Sequence, residues 1–439
     1  MLSSPHSGAA PGLLNRPEFV SADPSARPAL AASIARYAAI ATMVALGMRQ
    51  FVQSGATTGY LIALLLAPVW LGTLHRYRGA RLLAIVGSAT LVWGIVLRDI
   101  AAADHIISSS VQIRSTVLLA GILLSICAIL WARTVLSSAE VGLWYGAGMI
   151  LNAVLTGTSA GNPWKNTWAI PVAIVVLSAI NLSSKARAKR ASLPGVVVLV
   201  VLAVISAFSD SRSYAATFLI AAILVGWQSR PTNLSRRSSA YLTVVMLVGV
   251  AASTYWLGTK LLVSGYLGAN AQVRTVAQIE QSGSVILGGR PELQATIALM
   301  RSRPSGFGVG VEPTGQDILI AKTGLSSINY NPNNGYVEKF MFGGHIELHS
   351  VFGDLWASWG IPGLVLLLLL ALNLVRSIST TISRGLANPL VVFLVVWTLW
   401  NLLFSPIYGS APTLTLAVGL AIMYKADLRS GMKHRSAPT

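Results

Sequence analysis

Apolar and polar positions alternate along this chain on the scale of whole helices. Long apolar runs fall at 37–53, 58–74, 80–97, 115–135, 141–158, 167–183, 194–209, 213–228, 240–258, 351–373, 389–404 and 411–424. A helix needs about 20 predominantly apolar residues to cross a bilayer. Several runs are shorter than that, so their helices must extend into flanking polar residues or be buried in a bundle. One long polar stretch, about 259–350, interrupts the series. The pattern predicts an all-α polytopic membrane protein of about twelve transmembrane helices with one long loop containing short helices. The expected organisation is a tail at 1–36, nine helices over 37–258, the long loop at 259–350, three helices over 351–424 and a second tail at 425–439.

Composition agrees. The 439 residues are 54% hydrophobic and 10% charged, with mean hydropathy +0.65. A soluble domain carries about 25% charged residues. The formal net charge is +18, which on a soluble protein would point to nucleic acid. Here Lys and Arg instead follow the positive-inside rule, so nucleic acid is not an expected partner. With the N-terminus placed in the cytoplasm, basic clusters such as Arg76, Arg78 and Arg81, Lys185–Arg190, Arg230–Arg237 and Lys425–Arg435 fall on the inner side. The short outer loops hold only Arg49, Arg98, Arg114, Lys165 and Arg212. That alternation implies an even number of helices with both ends inside. The single cysteine, Cys127, excludes an intrachain disulfide.

Candidate chemistry lies on the outer side. Arg212 sits in a polar break, Ser209-Asp210-Ser211-Arg212-Ser213, between two apolar runs. An arginine at that depth is costly unless it is paired or faces a wet cavity. The alternatives are a guanidinium that snorkels or pairs with Asp210. Arg290 follows Gly288-Gly289 and precedes Pro291-Glu292, a turn into a helix over 292–300. Arg301 and Arg303 close that helix and serve either as site residues or as helix C-terminal charges. Gly306-Phe307-Gly308-Val309-Gly310 reads as a tight loop, because no strand and helix flank it as a dinucleotide fold requires. His345 and His349, if helical, share a face. Glu347 stands between them at the wrong offset for a His-Glu-x-x-His zinc motif, and no third ligand follows. One of the two suits a general base, since imidazole titrates near neutrality. Trp356 and Trp359 fit an interfacial aromatic belt.

Four blocks together resemble the O-antigen ligase and O-antigen polymerase superfamily. They are Ser211-Arg212-Ser213; Gly289-Arg290 followed by Pro304-Ser305-Gly306-Phe307-Gly308-Val309-Gly310; His349-Ser350 followed by Trp359-Gly360-Ile361-Pro362-Gly363-Leu364; and Asn401-Leu402-Leu403-Phe404-Ser405. They cover roughly 195–410 in the family order. Ser213 and Ser350 depart from the commoner Gly and Asn, without removing a charge or a base. The resemblance implies a GT-C-type glycosyltransferase of the bacterial inner membrane with its site facing the periplasm. It implies no metal and no cofactor, and it favours His349 over His345 as the base. The donor would be an O-antigen glycan on undecaprenyl pyrophosphate, and a ligase would use lipid A–core oligosaccharide as acceptor, both substrates lying among membrane lipids. Arg212 and Arg290 would then neutralise the pyrophosphate. The alternatives are a polymerase that extends the lipid-linked glycan, a protein O-oligosaccharyltransferase, and a lipid or glycan transporter. The scarcity of intramembrane acids and the asymmetry of one long loop argue against the transporter.

Overall fold

The computed structural model describes residues 26–157, 161–183, 192–228, 240–266 and 268–426. The basic clusters at 185–190 and 230–237, and both chain ends, lie outside the described residues. Among the described residues the fold is entirely helical, with three isolated β-bridges and no strand.

The first half runs α1 (Ala26–Met48), α2 (Thr58–Leu65), α3 (Ala67–Leu71), α4 (Ala80–Ala101), α5 (Ser109–Ala132), α6 (Ser138–Thr156), α7 (Ala169–Ser183), α8 (Ser192–Phe208), α9 (Arg212–Trp227) and α10 (Ala240–Val263). The outer segment carries α11 (Ala269–Ser282), α12 (Val285–Gly289), α13 (Glu292–Ser302) and α14 (Gly315–Ser326). The last three helices are α15 (Val351–Ser383), α16 (Pro389–Phe404) and α17 (Ile407–Ala421). Among the described residues six helical stretches are long and apolar enough to cross a membrane: Leu30–Met48, Ala80–Ala101, Ser109–Ala132, Trp164–Ser183, Val244–Val263 and Val351–Ser383. A seventh is added if Thr58–Leu65 and Ala67–Arg76, bent by 59°, form one span. α8, α9, α16 and α17 are apolar but shorter.

Two boundaries differ from expectation. The first helix runs from Ala26 and not from 37, because the Ala-rich stretch Ala29–Ala38 favours it. α10 continues past 258 to Val263, since Lys260 stays at its end over the Trp256 ring at 4.0 Å. α15 bends at Gly360, whose φ is +58°, just before Pro362.

The bundle core is continuous across most helices. Tyr214 stacks on Trp397 at 4.4 Å and Phe218 on Phe393 at 4.5 Å, which locks the start of α9 against α16. The outer segment has its own core, built from Leu299, Phe307, Leu325, Val337, Met341 and Leu348 on Trp356 of α15. The glycine-rich loop is indeed irregular, with φ of +85°, +107° and +83° at Gly306, Gly308 and Gly310. It threads between α4 and α15. Phe307 N and Gly308 N both donate to the Ala357 carbonyl, at 2.8 and 2.9 Å. The Trp356 indole N–H donates to the Pro304 carbonyl at 3.1 Å. That loop covers both tryptophans, which are 0% and 1% exposed. Trp356 and Trp359 are therefore core residues and not an interfacial belt.

A Cβ at Gly306 would sit 2.4 Å from the Trp356 carbonyl oxygen, whereas Gly283, also left-handed at φ +72°, has nothing within 4 Å. Gly283→Ala should cost about 1 kcal/mol for its backbone alone. Gly306→Ala adds a backbone clash and should cost several-fold more. Thermal unfolding of the two purified variants in one detergent checks the ordering.

Candidate functional site

A cavity of about 1830 Å³ opens at one end of the bundle. Its walls come from the C-terminal ends of α1, α6, α8 and α16, most of α9 and α10, the N-terminal end of α17, and the helical turn Trp164–Trp168 with the start of α7. α11 and α12 lie over it. Arg49, Lys165, Arg212, Arg274 and Arg290 line it, against a single carboxylate, Asp210. Away from the charges the wall is apolar, with Val204, Ile223, Met246 and Leu257 among its residues. Val244–Val263, which forms part of that wall, has none of its apolar window buried inside the protein. The cavity thus joins a basic pole to an apolar slot.

The structure brings Arg212 and Arg290 into this one cavity. Arg212 opens α9 after a turn held by Ser211 N donating to the Ser206 carbonyl at 2.9 Å. Its Nη1 donates to Thr275 Oγ1 of α11 at 2.9 Å. Asp210 does not pair with Arg212 but with Arg274 of α11. Among the described residues no carboxylate pairs with the Arg212 or Arg290 guanidinium.

Arg301 and Arg303 do not line the cavity. Arg301 is exposed in the last turn of α13. Arg303 donates to Asp104 Oδ2 at 2.7 Å and to the Gly306 carbonyl at 3.1 Å, with its guanidinium over the Phe307 ring. Arg303 and His105 hold the Asp104 carboxyl down at about 2. This cluster fastens the glycine-rich loop, so Arg303 reads as structural.

His349 does not line the cavity either. The segment 342–350 is not helical, so His345 and His349 do not share a helix face as expected. Helix formation is pre-empted because Leu348 N donates to Asp354 instead of a helical carbonyl, and Ser350 caps α15 through Gly353 N at 2.9 Å. His345 bonds Glu347 at 3.2 Å. That carboxylate raises the imidazole pKa above its ordinary value, so His345 holds its proton more firmly. His349 has a left-handed backbone, φ +53°, costing of order 1–3 kcal/mol. Its Nδ1 lies 3.3 Å from the Glu347 carbonyl. A carbonyl only accepts, so this contact is a hydrogen bond in the tautomer that carries the proton on Nδ1.

Tyr336 links this histidine to the arginine end. Its ring lies 6.1 Å from that of His349, and its hydroxyl donates to Glu292, two residues beyond Arg290. Burial, then the Glu292 carboxylate, push the Tyr336 phenol well above its ordinary value, while Arg290 pulls the other way. A second link is Asp354. This side chain is 5% exposed. Its Oδ1 accepts from Leu348 N and its Oδ2 from Ile407 N, each at 2.8 Å. Ile407 follows Ser405 and Pro406, both in the cavity wall. Asn401 lines the wall too, and its Oδ1 accepts from Ser405 Oγ at 2.9 Å.

Sequence reasoning missed Arg274, Lys165, Arg49, Tyr336 and Asp354. The available signal was the set of lone basic residues on the outer side, against the charge trend of the other loops. Among the described residues no group of three or more His, Cys, Asp or Glu side chains could hold a metal ion. Compared with protein-family models, with curated proteins and with solved structures, the chain has no match in any of the three.

Asp354→Asn keeps the shape but can accept from only one of the two N–H groups. Leaving a buried donor unmet costs about 1–3 kcal/mol. Asp210→Asn, which breaks a half-exposed pair, should cost under about 1 kcal/mol. Thermal unfolding in detergent should rank Asp354→Asn as the more damaging.

Proposed function

We propose that this protein is a membrane glycosyltransferase of the O-antigen ligase kind, moving a glycan from undecaprenyl pyrophosphate to a sugar hydroxyl of lipid A–core oligosaccharide. The observation that carries the reading is the pairing, in one cavity, of carboxylate-free arginines with an apolar slot. A lipid-linked pyrophosphate has both halves of that chemistry. In this reading the twelve apolar helices cross the inner membrane, both ends are cytoplasmic, the fold is of the GT-C type and the cavity faces the periplasm.

The acceptor oxygen attacks the anomeric carbon of the donor sugar. The bond from that carbon to the pyrophosphate oxygen breaks, and its electron pair leaves with undecaprenyl pyrophosphate. The hydroxyl proton passes to Nε2 of His349, which stands outside the cavity lining and meets the arginine end through Tyr336, so the acceptor must reach from the cavity toward Tyr336. Arg212 and Arg290 take the charge that grows on the leaving group through paired N–H donors. Pyrophosphate leaves readily once neutralised, so no separate acid is required. Placing donor and acceptor in one chamber supplies the orientation on which such a transfer depends.

In a reconstituted assay with lipid-linked donor and core acceptor, His349→Ala should abolish transfer while the protein still purifies as a folded species. Full transfer by that variant would overturn the base assignment. Arg212→Ala and Arg290→Ala should each lower the rate about 10²-fold, the scale of about 3 kcal/mol for one charge-stabilising contact. Transfer should persist in excess EDTA; loss that a divalent ion restores would shift phosphate neutralisation from the arginines to a metal. A product extended on the lipid carrier, rather than joined to lipid A–core, would replace the ligase by a polymerase.

A further inference from the structure

Two arginines meet the charge of a pyrophosphate diester, yet the cavity holds five cations and one acid. Arg274 is spoken for by Asp210. Arg49 and Lys165 remain. Arg49 and Arg212 stand on helices with different packing neighbours: α1 packs on α6, while α9 packs on α8 and α16.

Arg49 is built into place. Its backbone is left-handed, φ +47°. Its Nη2 donates to the Tyr408 carbonyl at 2.8 Å. The guanidinium lies 4.4 Å from the Tyr408 ring and 5.4 Å from the Phe51 ring, and those rings stack at 6.2 Å. Such contacts fix a cation without neutralising it. Its Nε is buried and has no partner. The cavity lining holds two more unmet groups: Ser410 Oγ, in a residue 3% exposed, and the Trp400 indole N–H. Buried donors are nearly always met, so three unmet in the lining of one cavity point to a ligand that brings acceptors. An oxyanion supplies several at once.

We propose that Arg49, with Ser410, Trp400 and Lys165, forms a second anion subsite that holds a phosphate group on the sugars of the acceptor glycolipid. This rests on the transferase reading above. The subsite would hold the acceptor through residues other than the donor's arginines and would select phosphorylated acceptors.

The test compares wild type, Arg49→Gln and Arg49→Lys in nanodiscs, with intact and phosphatase-treated lipid A–core as acceptor. A charge-assisted contact of this kind supports a change of roughly tenfold or more. Arg49→Gln should raise the acceptor KM by that factor and leave the donor KM and the kcat at saturating acceptor near wild type. Wild type given the dephosphorylated acceptor should show the same rise, and Arg49→Gln should no longer distinguish the two acceptors. Arg49→Lys should restore part of the discrimination. A shift in donor KM instead, or a wild type indifferent to dephosphorylation, overturns the subsite. Direct binding of the two acceptors, measured by native mass spectrometry, separates the two claims. If no transfer occurs but wild type still prefers the phosphorylated acceptor and Arg49→Gln does not, the reaction falls and the subsite stands. If wild type binds both alike, the subsite falls.

Discussion

One buried carboxylate holds the outer end of this protein together. Asp354 accepts the amide of Leu348 on one oxygen and that of Ile407 on the other. The first amide belongs to the segment that carries His349, and the second opens α17, whose first turns form part of the cavity wall. Were either bond lost, a buried N–H would stand unmet inside the fold. The left-handed backbone at His349 can persist only because this bond and the Ser350 cap over-determine the turn around it. The outer segment, the histidine and the cavity rim are thus positioned by the same side chain.

The second constraint is electrostatic. Guanidiniums at helix ends in an apolar bundle are tolerable only where water or an anion reaches them. Here the ends of successive helical hairpins converge, so isolated outer cations such as Arg49, Lys165 and Arg212 meet in one chamber. The cavity's basic pole is the sum of residues that look incidental one at a time. Asp210, the one acid, is tied to Arg274 and leaves the others uncompensated.

Much of the fold was legible from hydropathy, because each apolar run is a helix or a bent pair and the outer segment is a cluster of short helices. Arg212 and Arg290 were legible because polar breaks and Gly-Pro turns mark where a guanidinium is forced to the bundle end. What could not be read was long-range. Trp356 and Trp359 look interfacial in sequence, but a glycine loop some fifty residues earlier covers them. The His345 to His349 spacing looks helical, but Asp354 takes the amide that a helix would use. Arg303 looks like its neighbour Arg290, yet Asp104 on a distant loop claims it. Each of these depends on a partner that local pattern does not name.

The central claim is that a lipid pyrophosphate sits between Arg212 and Arg290 with its sugar directed toward His349. An electron cryomicroscopy structure of the His349→Ala protein with saturating lipid-linked glycan tests this most directly. The account predicts pyrophosphate density within hydrogen-bond reach of both guanidiniums, the lipid tail along the apolar wall and the first sugar on the Tyr336 side. Pyrophosphate held away from both arginines, or a cavity free of lipid at saturating donor, would contradict it.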